Sequence, residues 1–353
     1  MALTEININR ANIAITQQRT GLEIRELVDG EIRVDVERFG LSSNNVSYAA
    51  TGDMLGYWAH FSNQEDWGVV PVWGFAIVVE SNTPDIAEGE RIFGYMPMAS
   101  QAIFRPTNIS SLCFTDAVEA RAGLHPWYTR LYRCPNDPAF IEDHMEIQQS
   151  LWALLMTGWM MAEELKGKVD CVYLSSASSK TAISLAWALK QSNTNTVGIT
   201  SGANHSFVQS LNLYSEIINY DDITTSDQAS HTAYVDLAGN AQVTSDIHVA
   251  LGDKLVDSVL IGGTHRAPSA ESLPMPGPAP RFFFIPDVAE EAATRDGFEH
   301  YHQNFAKNWQ AFAKWSADWI EITHGVGADA VEEGYHACMN GDVSPNSILS
   351  FTW

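Results

Sequence analysis

The segment Val172–Lys190, VYLSSASSKTAISLAWALK, is the part of the sequence that decides the fold. A short apolar run ends in a loop of small polar residues, and a helical apolar pattern follows. This order is typical of the strand, turn and helix that open a nucleotide-binding domain. The loop contains no glycine, however, so a dinucleotide site, a P-loop and an ordinary turn all remain open.

The chain downstream of this segment alternates between short apolar runs and helical patterns. After the helix TAISLAWALKQ come NTVGITS, the helical SFVQSLNLY, and then EIINY, AYVDLAGN, DSVLIGG and RFFFIP. Such alternation predicts a parallel sheet with helices on both faces. The aromatic-rich helix that follows contains His300 and His302, which we expect at the surface.

The first 145 residues have a different sequence pattern. GEIRVDVERFGLS alternates apolar and polar residues, and VVPVWGFAIVVES is a long β-rich run. These patterns predict a β-barrel or a curled sheet. The β-type pattern ends near Glu146, where a long helical pattern begins.

Composition and charge exclude several classes of protein. The net charge is −23, from 43 acidic and 20 basic residues, and such a field repels nucleic acid and anionic membrane. The start, MALTEININR, has no basic region followed by an apolar one, which argues against a secretory signal. No apolar run reaches the roughly 20 residues of a membrane span. We therefore expect a cytoplasmic protein.

The four cysteines are widely separated in the sequence. Cys113, Cys134, Cys171 and Cys338 form no CxxC pair, so the spacing suggests neither a zinc cluster nor a disulfide framework. Scattered thiols fit a reducing compartment.

Several segments together resemble a known superfamily. They are NNVSYAATGDMLGYW, GVVPVWGFAIVVESNTPDIAEGERIFGY, LLMTGWMMAEEL and TVGITSGANHSFVQSLNLYSEIINYDD. The chain resembles the medium-chain dehydrogenase/reductase superfamily, in particular its zinc-free, quinone-oxidoreductase-like branch. More narrowly, it is similar to the DUF2855 family along nearly its whole length.

The resemblance implies an α/β fold with two domains. Residues 1–147 would form a β-rich, chaperonin-10-like catalytic domain, and residues 148–290 a Rossmann domain with a doubly wound parallel sheet. Residues 291–353 would return to complete the catalytic domain. The substrate pocket would lie between the domains, beneath the carboxyl ends of the strands.

The resemblance also implies a protein without zinc. Where zinc-dependent relatives have Gly-His-Glu, this sequence reads Val72-Trp73-Gly74-Phe75, and the position of the catalytic-zinc cysteine is Asn45. The structural-zinc cysteine cluster is missing as well. We therefore expect no metal.

The loop of the opening segment aligns with the dinucleotide pattern G/A-x-G-x-x-G. The pattern falls on Ala177, Ser179 and Ala182, which are all small. Ser179 lacks the freedom of glycine at positive φ, but its hydroxyl could donate to a phosphate oxygen. Other candidate phosphate contacts in the loop are Ser176, Ser178, Lys180 and Thr181. A Walker A motif is disfavoured, because Leu174 and Ser179 occupy its two glycine positions.

The end of the second strand predicts NADP(H) rather than NAD(H). An NAD-specific fold usually has an acidic residue there, and GITSGANH offers only the polar groups of Thr200, Ser201 and Asn204. The usual arginine of an NADP site is also missing. Tyr220 matches a family tyrosine beside the adenosine ribose or its phosphate, although a strand-end tyrosine in water is equally compatible with the pattern.

The resemblance assigns further residues to the nicotinamide side of the cofactor. Thr157 would contact the nicotinamide ribose or ring, unless it simply bonds its own helix backbone. The loops after the fourth and fifth strands would contribute Gly239, Asn240, Gly262, Gly263 and Thr264.

Hydride transfer requires orientation, a dry pocket and a donor for the developing oxyanion. Tyr48 is the first candidate for that donor, with Asn45 and Ser47 as second choices. Substrate contacts are predicted for His265, Trp58 and Trp73. Each has a structural alternative, because tyrosines and tryptophans in β-rich segments often belong to the core.

The sequence thus predicts a zinc-independent, NADP(H)-dependent reductase of an activated C=C or C=O bond. The expected partners are a small-molecule substrate and, by resemblance, a second copy in a homodimer. Two alternatives remain: a lyase- or aldol-type enzyme on the same fold, and a non-catalytic nucleotide sensor.

Overall fold

The computed structural model describes residues 3–61, 64–223, 230–261 and 273–353. The chain forms two compact units, each treated separately below. The first unit comprises Met1–Ser150 and Ala306–Trp353, and the second unit comprises Leu151–Phe305. From the sequence we placed the divisions after residues 147 and 290, and the second boundary of the compact units lies further along the chain.

The strands are numbered in chain order. They are β1 (Leu3–Asn9), β2 (Thr16–Leu22), β3 (Ile32–Leu41), β4 (Trp67–Gly68), β5 (Pro71–Ser81), β6 (Arg91–Pro97), β7 (Gln101–Phe104), β8 (Pro106–Thr107), β9 (Cys113–Asp116), β10 (Arg130–Arg133), β11 (Cys171–Leu174), β12 (Asn195–Thr200), β13 (Glu216–Asn219), β14 (Thr232–Asp236), β15 (Leu255–Leu260), β16 (Arg281–Phe282), β17 (Glu321–Val326) and β18 (Ser347–Thr352).

The α-helices are numbered in the same way. They are α1 (Ser43–Ala50), α2 (Pro126–Thr129), α3 (Met145–Leu165), α4 (Lys180–Gln191), α5 (His205–Ser210), α6 (Ala241–Leu251), α7 (Ile285–Asp296), α8 (Phe298–Ser316) and α9 (Gly327–Asn340). No described helix combines the length and the apolarity needed to cross a membrane.

The first unit is built on β-sheets. A small sheet has the order β2-β1-β4, and a larger one has the order β17-β18-β3-β5-β6-β10-β9-β8, with β7 paired to β3. The alternation predicted for β3 is present, since Ile32, Val34 and Val36 are buried while Arg33 and Asp35 are partly exposed. The alternating residues therefore direct one face of β3 into the core.

The second unit contains a parallel sheet with the strand order β13-β12-β11-β14-β15-β16. In order of appearance this is 3-2-1-4-5-6, the arrangement of a dinucleotide-binding fold. The prediction of a Rossmann domain is thus confirmed. One segment differs, because RFFFIP forms a strand only at Arg281–Phe282 and Pro286 already lies in the first turn of α7.

One surface prediction from the sequence is wrong. His302 in α8 is completely buried, and its ring lies 5.9 Å from that of Phe298 and 6.4 Å from that of Phe305. His300 is exposed, as expected. The two histidines do point to different sides of α8, but tertiary contacts cover the side that bears His302.

Helices α3 and α4 approach each other closely at Gly158. A Cβ atom at this position would lie 2.5 Å from the Leu185 backbone nitrogen and 2.7 Å from the Ser184 carbonyl carbon. Real Cβ atoms do not come so near to backbone, so only glycine allows this approach. The contact fixes α4, whose first turn follows the loop of the opening segment.

Replacing Gly158 with Ala should destabilise the protein, although alanine in a helix normally stabilises it by about 1 kcal/mol. The added Cβ would push α3 and α4 apart, and overpacking of this kind costs about 1–3 kcal/mol. Urea unfolding measures the difference. Gly202→Ala is the control, since a Cβ there meets nothing within 4 Å. A Gly158→Ala protein as stable as the control would contradict the close packing.

Candidate functional site

The loop after β11 contains one residue in the left-handed region, and it is Ser176, with φ of 51°. From the sequence we expected that any need for glycine would fall on Ser179. That expectation is wrong, because Ser179 has an extended backbone (φ −71°, ψ 145°) and serves as the N-cap of α4. A non-glycine residue at positive φ is uncommon and costs energy, so the surrounding contacts must hold Ser176 in place.

Two tyrosines hold the backbone of this loop. The Ser176 N–H donates to the Tyr220 hydroxyl at 2.9 Å, and the Tyr214 hydroxyl donates to the Ala177 carbonyl at 2.8 Å. The Ala177 N–H donates to the carbonyl of Ile199 in β12. Tyr220 therefore binds the loop after β11, and among the described residues no group accepts its hydroxyl hydrogen.

The end of β12 contributes a third contact to the loop. The Asn204 amide donates to the Ser178 hydroxyl at 3.1 Å. Thr200 is buried, whereas Ser201 is exposed just beyond the strand. The structure thus brings Asn204 against the predicted phosphate loop and leaves Ser201 open to solvent.

The first turn of α4 has the features of an anion site. The Ser179 hydroxyl accepts from the Ala182 N–H at 3.3 Å and keeps its own hydrogen for a ligand. Within the described ranges, no group accepts a hydrogen bond from the N–H of Ser178 or Thr181. Lys180 is the first residue of the helix. Unpaired N–H groups at a helix N-terminus, next to the positive end of its dipole, favour phosphate.

The small residues of the loop allow the close packing that a dinucleotide site needs. Ala177 and Ala182 are completely buried, and a Cβ on Gly198 would lie 3.0 Å from the Ala177 Cβ and 2.8 Å from the Tyr214 ring. Strand β12, the loop and α4 are therefore in contact without space for larger side chains. The residues present fit a pyrophosphate at this end of the sheet.

The loop after β14 is also ordered by side chains. Gly239 is buried at φ of 67°, and Asn240 caps α6 by accepting hydrogen bonds from the Gln242 and Val243 N–H groups. Sequence reasoning missed Asp236, whose buried carboxylate ends β14 and binds several groups around it. The available signal was an acidic residue at the end of the otherwise apolar AYVDLAGN.

The remaining residues predicted for the nicotinamide side give less information. The Thr157 hydroxyl donates to the Ala153 carbonyl at 3.1 Å, which is the backbone bond considered as the alternative. Its oxygen can still accept from a ligand. Outside the described residues lie three residues predicted for the cofactor, Gly262, Gly263 and Thr264, and His265, which was predicted to contact the substrate.

In the first unit, Asn45 and Ser47 stabilise helix α1. The Asn45 side chain accepts from the Ser42 N–H at 2.9 Å and donates to the Pro71 carbonyl at 3.0 Å. The Ser47 hydroxyl donates to the Ser43 carbonyl at 3.1 Å. The bonds of Asn45 cap the helix and attach it to β5, whereas the bond of Ser47 stays within α1. Asn45 therefore helps to fix the helix that bears Tyr48.

Tyr48 belongs to a cluster of aromatic side chains. Its ring is stacked on Tyr57 with centroids 4.3 Å apart and meets Tyr95 edge-on at 6.1 Å. Trp73 lies 4.5 Å from Tyr95, and the hydroxyls of Tyr57 and Tyr128 are 3.3 Å apart. Burial raises the pKa of Tyr48, and hydrogen bonding to Tyr95 and Trp73 opposes that rise. The Tyr48 side chain is half-buried, and its hydroxyl stays protonated near pH 7.

Trp58 does not belong to this cluster. It is 3% exposed within the hydrophobic core of the first unit. Its indole covers Gly52, where a Cβ would lie 2.3 Å from the indole nitrogen. The prediction that Trp58 shapes a pocket is not supported, because the side chain fills the core instead.

His60 is a member of the aromatic cluster that the sequence did not identify. It is 2% exposed, and its Nδ1–H donates to the Tyr57 carbonyl at 3.1 Å. Burial lowers the pKa of His60 to about 4, so the ring is neutral near pH 7. Arg121 donates to the His60 carbonyl and forms a buried ion pair with Asp116, which fixes this part of the chain.

Comparison with known families identifies the chain as a member of DUF2855. The model of this family, described as a protein of unknown function, matches residues 39–344. The match covers most of the chain, which therefore belongs to the family. No curated protein sequence matches it.

Solved structures with a similar fold include two named as reductases. An enoyl thioester reductase mutant from Candida tropicalis has a TM-score of 0.64 at 10% identity, with 100% of both chains covered. CurA from Vibrio vulnificus has a TM-score of 0.62 at 13% identity, covering 100% of this chain and 99% of the other. A putative NADPH:quinone reductase from Bacillus thuringiensis has a TM-score of 0.62 at 10% identity, with the same coverage. At these identities the likeness shows the fold.

The buried neutral His60 predicts a stability that depends on pH. Its pKa is about 4 in the folded protein and about 6.5 in the unfolded chain, which therefore binds more protons between these values. The contribution is fully present above pH 6.5 and is lost as the pH falls toward 4. By pH 4.5 the loss should be about 2–3 kcal/mol.

Urea unfolding at pH 7.5 and pH 4.5 measures this loss. His60→Gln should reduce the difference in unfolding free energy between the two pH values, whereas the exposed His300→Gln should leave it unchanged. If His60→Gln loses as much stability on acidification as the unsubstituted protein, the neutral burial of His60 is refuted.

Proposed function

We propose that this protein is a zinc-independent, NADP(H)-dependent oxidoreductase that reduces an activated C=C or C=O bond of a small organic substrate. The observation that carries the proposal is the loop after β11. It lies where the strand order of the sheet reverses, which is where such folds bind dinucleotides. Its conformation is fixed by Tyr220, Tyr214 and Asn204.

The groups at the start of α4 would hold the pyrophosphate. The N–H groups of Ser178 and Thr181 and the hydroxyl of Ser179 are the donors, and Lys180 supplies a positive charge. Hydroxyl side chains would thus take over part of the role that glycine-flanked N–H groups have in other dinucleotide loops.

The end of β12 supports NADP(H) over NAD(H). Thr200, Ser201 and Asn204 present no carboxylate to a ribose 2′-hydroxyl. Asp221 and Asp222 favour NAD(H) instead, because they follow the neighbouring β13, are exposed, and carry charges that repel a 2′-phosphate. The solved structures of similar fold include a complex of Etr1p with NADP and crotonyl-CoA, at 11% identity. On balance we infer NADP(H).

When bound, the nicotinamide supplies the hydride. The chain itself would supply the proton from the Tyr48 hydroxyl, which is protonated near neutral pH. Tyr95, whose ring lies 6.1 Å from that of Tyr48, acts to lower the Tyr48 pKa against the effect of burial and would stabilise the charge left after the proton has gone. Zinc independence is supported by Asn45, whose amide is bound to Ser42 and Pro71 at the position where relatives have a zinc cysteine.

Titration calorimetry with NADPH and NADH tests the cofactor assignment. We expect NADPH to bind more tightly than NADH. Lys180→Ala should weaken NADPH binding about tenfold, or ~1.4 kcal/mol, because a cation beside the phosphates is lost. Lys190→Ala, at the far end of the same helix, is the control. If neither nucleotide binds, the proposed function is wrong, and tight binding without turnover of any enone or quinone would favour the sensor.

Tyr48→Phe tests the proton donor. We expect turnover of enones or quinones to fall about 100-fold, since a positioned acid typically contributes 10²–10⁴-fold. The affinity for NADPH should not change. Tyr335→Phe is a matched control, because this buried tyrosine of the first unit donates its hydroxyl hydrogen to the Ile13 carbonyl. Unchanged turnover in Tyr48→Phe would remove Tyr48 from the mechanism.

A further inference from the structure

A buried carboxylate connects two loops at the centre of the second unit. Asp236, the last residue of β14, is 6% exposed. Its Oδ1 accepts from the Ser175 hydroxyl at 2.8 Å and from the N–H groups of Ala238 and Gly239 at 3.0 Å each. Ser175 begins the loop after β11, whereas Ala238 and Gly239 belong to the loop after β14. One carboxylate oxygen therefore binds both loops.

Ser175 strengthens the same connection. While its hydroxyl donates to Asp236, its oxygen accepts from the N–H groups of Leu237 and Ala238 at 2.8 and 3.0 Å. The side chain is completely buried. A single hydroxyl at the end of β11 is thus fully hydrogen-bonded to the end of β14 and to the loop that follows it.

The second oxygen of Asp236 binds helix α6. The Thr244 hydroxyl lies 3.1 Å from Oδ2 and 3.1 Å from the Asn240 carbonyl. All the partners assigned to Asp236 among the described residues are neutral donors. A carboxylate without a cation is costly to bury, and it can only accept hydrogen bonds. Its partners must therefore all turn their hydrogens toward one point, which allows a single arrangement of the two loops.

A second polar contact joins α6 to the same sheet one turn further along. His248 follows Thr244 by four residues, and its Nε2 accepts from the Ser258 hydroxyl at 2.8 Å. Its Nδ1–H donates to the Pro276 carbonyl at 2.9 Å. Ser258 pairs with Tyr234 in the sheet, two residues before Asp236. This contact resembles the first in chemistry and burial, but it does not involve either loop.

We propose that Asp236, acting through Ser175, is a positioning residue that sets the loop after β14 against the loop after β11. The first loop would hold the pyrophosphate, and the second would meet the nicotinamide ribose. The inference rests on the proposed function. Asp236 touches neither half of the nucleotide in this scheme, because its oxygens are already bound by protein donors.

The test compares two ligands by calorimetry: NADPH, which spans both loops, and 2′,5′-ADP, which contains only the adenosine half. In Ser175→Ala and Asp236→Asn we expect the Kd of NADPH to rise about tenfold, in line with the loss of a hydrogen bond to a charged group. The Kd of 2′,5′-ADP should stay within about twofold. The fluorescence anisotropy of bound NADPH should fall, since the nicotinamide would be held less firmly.

Ser258→Ala is the matched control, because it removes a buried hydroxyl bond of the same length from the same sheet. It should keep both affinities and the anisotropy. Ser175→Ala carries the test if Asp236→Asn does not fold. If the unsubstituted protein binds neither ligand, the proposed function fails. If it binds NADPH and Ser175→Ala retains that affinity, or loses both affinities equally, the positioning role alone is overturned.

Discussion

The left-handed backbone of Ser176 is the constraint on which the second unit's site depends. Glycine would adopt φ of 51° at no steric cost, but a serine there must be held by its surroundings. The Tyr220 hydroxyl accepts the N–H of this residue, and Tyr214 and Asp236 bind its two neighbours. The turn is therefore formed by side-chain hydrogen bonds from three other segments rather than by flexible residues within it.

The hydrogen bonds to Tyr220, Tyr214 and Asp236 fix the conformation of the loop after β11 before any ligand binds. A glycine-rich loop loses more conformational freedom when it binds a phosphate than a loop whose shape is already fixed. Here the hydroxyl-rich sequence has two groups of residues: Ser175 and Ser178 form hydrogen bonds with the protein, and Ser179 and Thr181 lie at the start of α4. The aromatic cluster of the first unit is ordered in a similar way, with Asn45 and Arg121 fixing the segments that carry Tyr48 and His60.

Much of the fold could be predicted because strand and helix periods are local properties. The six short apolar runs of the second unit all contribute strands, and the alternation in β3 is real. Errors arose where a residue's role depends on distant partners. Trp58 fills the core, His302 is buried by its neighbours, and the positive φ falls on Ser176 instead of Ser179. No local pattern distinguishes these outcomes from the ones we expected.

The sequence by itself determined the α/β class, the parallel sheet and the loop at its centre, because these follow from periodicity and from the order of the segments. Only the tertiary structure decided which groups of that loop remain open to a ligand. The side chains that bind this loop lie 26 to 61 residues away from it in the sequence; they are Tyr220, Tyr214, Asn204 and Asp236. Hydrogen bonds across such separations form only when the sheet brings the strand ends together.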